Sequence, residues 1–514
     1  MSDPRENFRP TAFFALLFSS CLLLDGMASA APTVTLSKKS GPPTSKILVS
    51  GRGFEPNVGV DIFFDTKDKA LVVTNGRGEF RGATIHAPRS ARPGDHWVSA
   101  LERNDDKGAQ EPFLVQTDWR QFHFDADGTR LNPYENTLNP KTAENLGLRW
   151  SYAANSLVQS SPVVAKGVVF IGSSDFNVYA LSAKTGVELW SYATGNQVVY
   201  SAAVAKGVVY VGSDDNNVYA LNAKTGAKLW SHATGDFVDC SPAVADGVVY
   251  VGSDDNKLYA LSAKTGAKLW SYATHASVFS SPTVVNGVVY VGSDDGNVYA
   301  LDAKIGAKLW SYATDASVFS SPAVANGVVY VGSEDGNVYA LNANNGARLW
   351  SFVTGGEVFS SPALANGVVY VGSDTGIVYA LNGDTGAKLW SYATGGGVYS
   401  SPAVANGVVY VGSEDNNLYA LNGGTGAKVW SYNVGLAMFS SSPAVADGLV
   451  YVGSDVEGGV YAFGLFDDGN LAKEQVARKR PDPKMLRPDF DLNASKPNVG
   501  SPRERVGSHV SDDN

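Results

Sequence analysis

The stretch Ser400-Ser401-Pro402-Ala403-Val404-Ala405-Asn406-Gly407-Val408-Val409-Tyr410-Val411-Gly412-Ser413 decides the fold. It continues through the turn Glu414-Asp415-Asn416-Asn417 to Leu418-Tyr419-Ala420-Leu421-Asn422, and then to Ala427-Lys428-Val429-Trp430-Ser431-Tyr432. Short runs of β-branched and aromatic residues between Gly, Asn and Asp turns read as four antiparallel strands. Outward from this stretch the same unit recurs, with tryptophan as its marker. Trp150, Trp190, Trp230, Trp270, Trp310, Trp350, Trp390 and Trp430 stand forty residues apart. A fixed period of about 40 marks supersecondary units that stack to bury their faces. Runs such as Val208-Val209-Tyr210-Val211 are continuously apolar, as required where neighbours cover both faces of a sheet. The pattern predicts an all-β, eight-bladed β-propeller of four-stranded blades.

The count rests on the glycine that opens the second strand: Gly167, Gly207, Gly247, Gly287, Gly327, Gly367, Gly407 and Gly448. The first tryptophan segment, Arg149-Trp150-Ser151, precedes any first strand, and no tryptophan follows Val460-Tyr461-Ala462-Phe463. The N-terminal strand is therefore expected to complete the last blade, leaving no raw edge.

Five segments follow. Residues 1–31 read as a signal peptide: Arg5 and Arg9, an apolar run from Ala12 to Leu24, then small residues around Ala28 and Ala30. Residues 32–116 read as a small β-sandwich of about seven strands. Its Ser50-Gly51-Arg52-Gly53-Phe54-Glu55-Pro56-Asn57 resembles the Gly-x-Gly-Phe-x-Pro turn of bacterial immunoglobulin-like modules. Residues 117–147, with Trp119, Phe122, Phe124 and Tyr134, are expected to pack on the propeller at 148–466. Residues 467–514 carry eighteen charged residues and a single aromatic, Phe490, and read as a disordered tail.

Ala220-Leu221-Asn222-Ala223-Lys224-Thr225-Gly226-Ala227-Lys228-Leu229-Trp230 resembles the tryptophan-docking motif Ala-x-Asp-x-x-Thr-Gly-x-x-x-Trp of the pyrroloquinoline-quinone-like repeat propellers. The aspartate is kept only at Asp302; Ser182, Asn222, Ser262, Asn342, Asn382 and Asn422 replace it elsewhere. The resemblance implies indoles docked between blades, eight buried tryptophans each worth about 3–5 kcal/mol against truncation to alanine. It also implies a test for the family's enzyme branch. That branch holds its quinone and calcium with two adjacent cysteines, long insertions, a tryptophan floor, calcium-binding carboxylates and an aspartate base. Cys21 and Cys240 are the only cysteines here, no Cys-x-x-Cys-His site exists, and the units hold nearly constant length. The six histidines form no ligand-spaced cluster. Turns such as Ser293-Asp294-Asp295-Gly296-Asn297 lack the spacing of a calcium loop. The resemblance therefore implies the non-enzymatic branch, with no cofactor, no metal and no catalytic residue.

Differences among the repeats point to one rim. The connection from the fourth strand to the next first strand varies most, and the second-to-third turn is next; in an up-and-down blade both emerge on one face. That face collects Asp175, Asp214, Asp215, Asp254, Asp255, Asp294, Asp295, Glu334, Asp335, Asp374, Glu414, Asp415, Asp455 and Glu457. The other collects Lys184, Lys224, Lys228, Lys264, Lys268, Lys304, Lys308, Arg348, Lys388 and Lys428. Phe279, Phe319, Phe359, Tyr399 and Phe439 are placed at the axial end of the first strands as an aromatic collar. The sequence thus predicts a secreted or cell-envelope protein, monomeric and without a transmembrane span in its mature form. Its acidic rim would bind a protein, peptide or carbohydrate without catalysis. The alternatives are an envelope-assembly scaffold similar to the propeller lipoprotein of the outer-membrane β-barrel assembly machinery, and a quinone-dependent dehydrogenase. The net charge of −10 argues against nucleic acid.

Overall fold

The computed structural model describes residues 31–103, 107–434, 441–454 and 458–466. The expected signal peptide with Cys21, the charged tail, Phe439, Asp455 and Glu457 lie outside the described residues. The described chain forms two compact units.

The first unit, among the described residues within 31–39, 45–87 and 95–114, is built of two sheets. One pairs Lys46–Arg52 with Thr33–Leu36 and Phe80–His86. The other carries Gly59–Phe64 between Lys67–Val73 and Gly94–Glu102. Alternate residues point inward: Ile47, Val49, Val60, Ile62, Phe64, Val98 and Phe113 are buried. In the Gly-x-Gly-Phe turn, Gly53 takes a positive φ of 81° and Phe54 packs on Phe80 at 5.6 Å between ring centroids.

The second unit is a multi-bladed β-propeller. Among the described residues it contains eight sheets with four consecutive antiparallel strands each. In one of them the innermost strand is Ala203–Ala205, followed outward by Val208–Ser213, Asn217–Asn222 and Lys228–Ala233. The two middle strands are buried throughout, with Val209, Val211, Val218, Ala220 and Leu221 fully enclosed. Burial on both faces explains why these strands do not alternate apolar with polar. The outer strand does alternate, since its outward face meets solvent. Each outer strand bulges where its tryptophan faces alanine, as at Ala220.

The N-terminal strand does complete the last sheet: Leu146–Ala153 pairs with Gly459–Leu465, which pairs with Leu449–Gly453. Closure is also written in serines. The Ser161 amide donates to the Ser201 hydroxyl at 2.9 Å, Ser201 to Ser241, Ser241 to Ser281, Ser281 to Ser321 and Ser321 to Ser361. Ser361 donates to Ser401, Ser401 to Ser442, and Ser442 back to Ser161 at 2.8 Å. Every hydroxyl in this circle is buried, so each bond satisfies a donor that water cannot reach.

Beside seven of these eight serines sits a second small residue that holds its own sheet, the position before Ser201 being Tyr200. The Gly292 amide donates to Ser280 Oγ at 2.9 Å, and the same bond recurs at Gly172–Ser160, Gly332–Ser320, Gly372–Ser360, Gly412–Ser400 and Gly453–Ser441. Cys240 Sγ takes this position in one sheet, accepting from Gly252 at 3.0 Å. Burial pushes its thiol up to about 12, so Cys240 is a packed structural residue and not a nucleophile.

Candidate functional site

Two rims follow from the strand order. The upper rim bears the outer-to-innermost connections and the second-to-third turns, and the lower rim bears the other two kinds of turn.

At the lower rim the segment 117–132 passes from sheet to sheet as a strap. Trp119 bridges to Val164, and the Val204 amide donates to the Arg120 carbonyl. Next, Val244 donates to Gln121 Oε1, Val284 to Ala126, Val324 to Asp127, Leu364 to Thr129 and Val404 to Arg130. Asn132 Nδ2 ends the path on the Val445 carbonyl at 2.8 Å. Each innermost strand would otherwise expose an unpaired edge, and the strap answers all eight in turn. Arg130, fully buried, anchors it by donating to the carbonyls of Pro402 (2.7 Å), Phe122 (2.7 Å), Ser401 (3.2 Å) and Pro443 (3.4 Å). Burial pulls its guanidinium down to about 9 and drives His123 well below the usual histidine range. Asp447 accepts from the Thr117 amide at 2.5 Å, and burial pushes its carboxyl up to about 7.

The tryptophans dock as expected, with one exception. Each indole Nε1 donates to a carbonyl of the next sheet's turn: Trp150 to Ala183, Trp190 to Ala223, Trp230 to Ala263, Trp270 to Ala303, Trp310 to Ala343, Trp350 to Gly383 and Trp390 to Gly423. The distances run from 2.8 to 3.1 Å. The ring lies on the turn glycine of that next sheet. A Cβ on Gly306, which sits at φ +71°, would come within 2.6 Å of Trp270. Trp430 packs instead edge-on against Phe463, at 5.2 Å. Its neighbour is the last sheet, which has no such turn. The expected girdle of fully buried indoles is corrected: only Trp150, Trp310 and Trp350 are buried, and the other five are half-buried. An outermost strand leaves one ring edge to solvent.

The upper rim divides the acidic residues by role. In five of these turns the second carboxylate is a clamp. Asp215, Asp295, Asp335 and Asp415 accept the hydroxyls of Tyr219 (2.6 Å), Tyr299 (2.6 Å), Tyr339 (2.7 Å) and Tyr419 (2.5 Å), and Asp255 accepts that of Tyr259. The same oxygens take an amide from the preceding connection: Gly195, His275, Asp315 and Gly395 for those four, Gly235 for Asp255. At Asp295 burial pushes the carboxyl up, but the bonds from Tyr299, His275 and Asn297 outweigh it and hold it below the usual range. These five residues, expected on a binding surface, tie one sheet to the next.

The first carboxylates behave differently. Burial raises Asp214, which is hydrogen-bonded with Asp239 and repelled by Asp254. Burial, Glu357 and Asp294 together push Glu334 up to about 7. Glu357, Asp374 and Glu414 are raised in turn, each first by burial. Tyr399 is raised by burial and by Glu414, Asp374 and Glu357. Beside them runs the aromatic arc. Phe279 stacks on Phe319 at 4.8 Å and 10°, Phe319 meets Phe359 at 5.8 Å, and Phe359 meets Tyr399 at 5.3 Å. Glu414 Oε2 and the Tyr399 ring both close on Gly397. The arrangement is a shelf of aromatic faces edged by carboxyl groups that resist ionisation. Sequence reasoning brought together the arc and Asp214, Asp254, Asp294, Glu334 and Glu414. It missed Asp239 and Glu357, which lie in the variable connections. Asp239 could have been found because it replaces the phenylalanine of the next unit.

The fold is that of a multi-bladed β-propeller with pyrroloquinoline-quinone-like repeats. The family model described as outer membrane protein assembly factor BamB matches residues 135–236 and 353–485, and the β-propeller of beta-alanine-activating enzyme matches 201–367. Over these residues the chain is similar to those propellers. The 1-butanol dehydrogenase (cytochrome c) of Thauera butanivorans is 34% identical over 79 residues, 15% of this chain. The match spans 11% of that relative's length. The quinohemoprotein alcohol dehydrogenase of Comamonas testosteroni superposes with a TM-score of 0.60 at 18% identity, over 68% of this chain and 81% of that one. BamB of Moraxella catarrhalis superposes at 0.55 and 20% identity, over 62% and 100%. At such identities the structural likeness shows the fold. The sequence reading expected a binding or scaffold protein of a non-enzymatic branch. These matches overturn that expectation, because the curated relative and the Comamonas protein are enzymes. Among the described residues no helix is long and apolar enough to cross a membrane.

Proposed function

We propose that the chain is an enzyme of the alcohol-oxidising propeller class, with its reacting site on the upper rim and Glu334 as proton acceptor. In this reading the propeller is eight-bladed and spans 148–466, behind a connector at 117–147 and an immunoglobulin-like module at 32–116, and works outside the cytoplasm. The likeness to alcohol dehydrogenases supports the reaction class. One observation supports the place: the Glu334 carboxyl is pushed up to about 7, beside a stacked aromatic arc. A base is most effective when its pKa lies near the working pH, and a substrate hydroxyl proton suits such a group. The arc would take the carbon skeleton of a small alcohol, while Glu357 and Asp294 keep Glu334 half ionised at neutrality.

A pyrroloquinoline quinone is a flat tricarboxylate, bound with a divalent cation. The residues here do not fit it. The rim groups that face the arc are carboxyls, which repel a tricarboxylate. Among the described residues no three His, Cys, Asp or Glu side chains gather as metal ligands. The chain has no adjacent cysteines and no Cys-x-x-Cys-His. The reading therefore concerns substrate binding and proton transfer by this chain's own side chains, and no step is routed through a quinone.

The test is oxidation of short alcohols by the purified chain with a two-electron acceptor dye supplied as the oxidant, the alcohol's hydride passing to the dye and its hydroxyl proton to Glu334. Dye reduction is expected, falling about 100-fold in Glu334→Gln while the fold is kept. No dye reduction with any alcohol ends the reading.

A further inference from the structure

The lower rim carries a surface that the upper-rim reading does not use. In three consecutive sheets the turn into the outer strand presents paired lysines: Lys224 and Lys228, Lys264 and Lys268, Lys304 and Lys308, all exposed. Between them stand apolar side chains open to solvent: Leu229 (51% exposed), Leu269 (53%), Ile305 (65%) and Leu309 (52%). These turns sit on the lower rim because each abuts the first-to-second turn, as where the Ala223 amide donates to the Gly207 carbonyl at 2.9 Å. The one carboxylate inside the turns, Asp302, points back into its own loop and accepts the amides of Lys304 (2.8 Å) and Ile305 (3.0 Å). Asp246 is the acidic neighbour in the adjoining first-to-second turns. Elsewhere around the rim the pairing lapses: Asn344 and Asn345, Asp384, and Gly424 occupy the corresponding turns.

We propose that this arc of lysines, leucines and Ile305 docks the protein on an anionic lipid bilayer. The chemistry selects lipid over other anions. Protein interfaces favour aromatic residues and arginine and are depleted in lysine. Single-stranded nucleic acid needs aromatic stacking platforms, and this arc has none. Lysine lets its stem lie along apolar surface while the ammonium reaches a headgroup, and half-exposed leucine enters the acyl boundary. Exposed apolar patches edged by charge mark such contacts. The rest of the propeller is net acidic, so within it this face is the one that approaches an anionic surface favourably.

The experiment is co-sedimentation of the full chain with vesicles of phosphatidylcholine mixed with phosphatidylglycerol, set against pure phosphatidylcholine. Binding to the mixed vesicles alone is expected, weakened by added salt. The triple variant Lys228→Gln, Lys268→Gln, Lys308→Gln should weaken it about 100-fold, at about fivefold per lysine. A second variant, Leu229→Ser with Leu269→Ser and Leu309→Ser, should weaken it at least severalfold while the melting temperature falls by only a few degrees, since about half of each side chain is open to solvent. Binding that survives both variants would place any membrane contact elsewhere and overturn the proposal. No binding to the mixed vesicles, or displacement of vesicles by duplex DNA at equal charge, would overturn it too.

Discussion

The two ends of the innermost strands are made from the same repeat and treated in opposite ways. At the lower end a non-repeating segment, 117–132, visits each sheet and answers its free edge. There Arg130 donates to four carbonyls and Asp447 accepts from Thr117. At the upper end no strap intervenes. Asp214, Glu334, Asp374 and Glu414 are pressed toward their neutral forms, while Asp215, Asp295, Asp335 and Asp415 are committed to tyrosine clamps. Repetition supplies the scaffold at both ends. Where it is covered by a unique segment it becomes structure; where it is left to vary it becomes chemistry.

The largest effect should come from attacking the covered end. Arg130→Met leaves four buried carbonyls without their donor and should cost about 3–5 kcal/mol, read as a lower unfolding midpoint in urea. A loss under about 1 kcal/mol would mean that the strap adds little to closure. Next comes the junction between sheets. Gly306→Ala forces a Cβ against Trp270 at a positive φ and should cost about 1–3 kcal/mol, accompanied by a shift in indole fluorescence. Removing one clamp hydroxyl, Tyr299→Phe, should cost about 1–2 kcal/mol at neutral pH. The loss should shrink as the pH falls through the depressed Asp295 range, because a protonated carboxyl needs that donor less.

The uncovered end should respond with the opposite sign. The Glu334 carboxyl in the folded chain is raised from 4.5 to about 7, so folding favours its protonated form. Its contribution is therefore present below pH about 4.5 and is lost as the pH rises through about 7. Glu334→Gln should raise the melting temperature at pH 8 and leave it unchanged at pH 4. Equal effects at both pH values would show that Glu334 is not held near neutrality. The smallest effect belongs to Cys240→Ser. Serine makes the same bond to glycine in six sheets, so stability should change by less than about 1 kcal/mol.

The architecture was legible because the tryptophan period and the missing terminal partner are linear features. Trp150 before the first unit and Phe463 after the last were enough to place the closing strand. The strap's route was not legible beyond its aromatics: Arg120, Gln121, Ala126 and Asp127 meet the sheets mostly through backbone atoms, which carry no residue signature. The rim was half legible. Composition located the acids but could not separate Glu334 from Asp335, adjacent residues of one turn: Glu334 is crowded by Glu357 and Asp294, and Asp335 accepts the Tyr339 hydroxyl. The non-enzymatic expectation failed because absent cysteines were read as absent chemistry, while the curated relative that matches is an enzyme.

The serine circle has a consequence for how the molecule comes apart. A linear array of repeats frays from its termini, each unit leaning on one neighbour. Here Ser442 returns to Ser161 and the two ends of the array share one sheet, so no unit is terminal. Opening any seam breaks the loop for all, and the sheets melt together as a single cooperative body. For the same reason the chain could be re-cut at any upper-rim connection and rejoined through its old ends. Eight such circular permutants would share nearly one stability, set by the seam and not by the address of the cut.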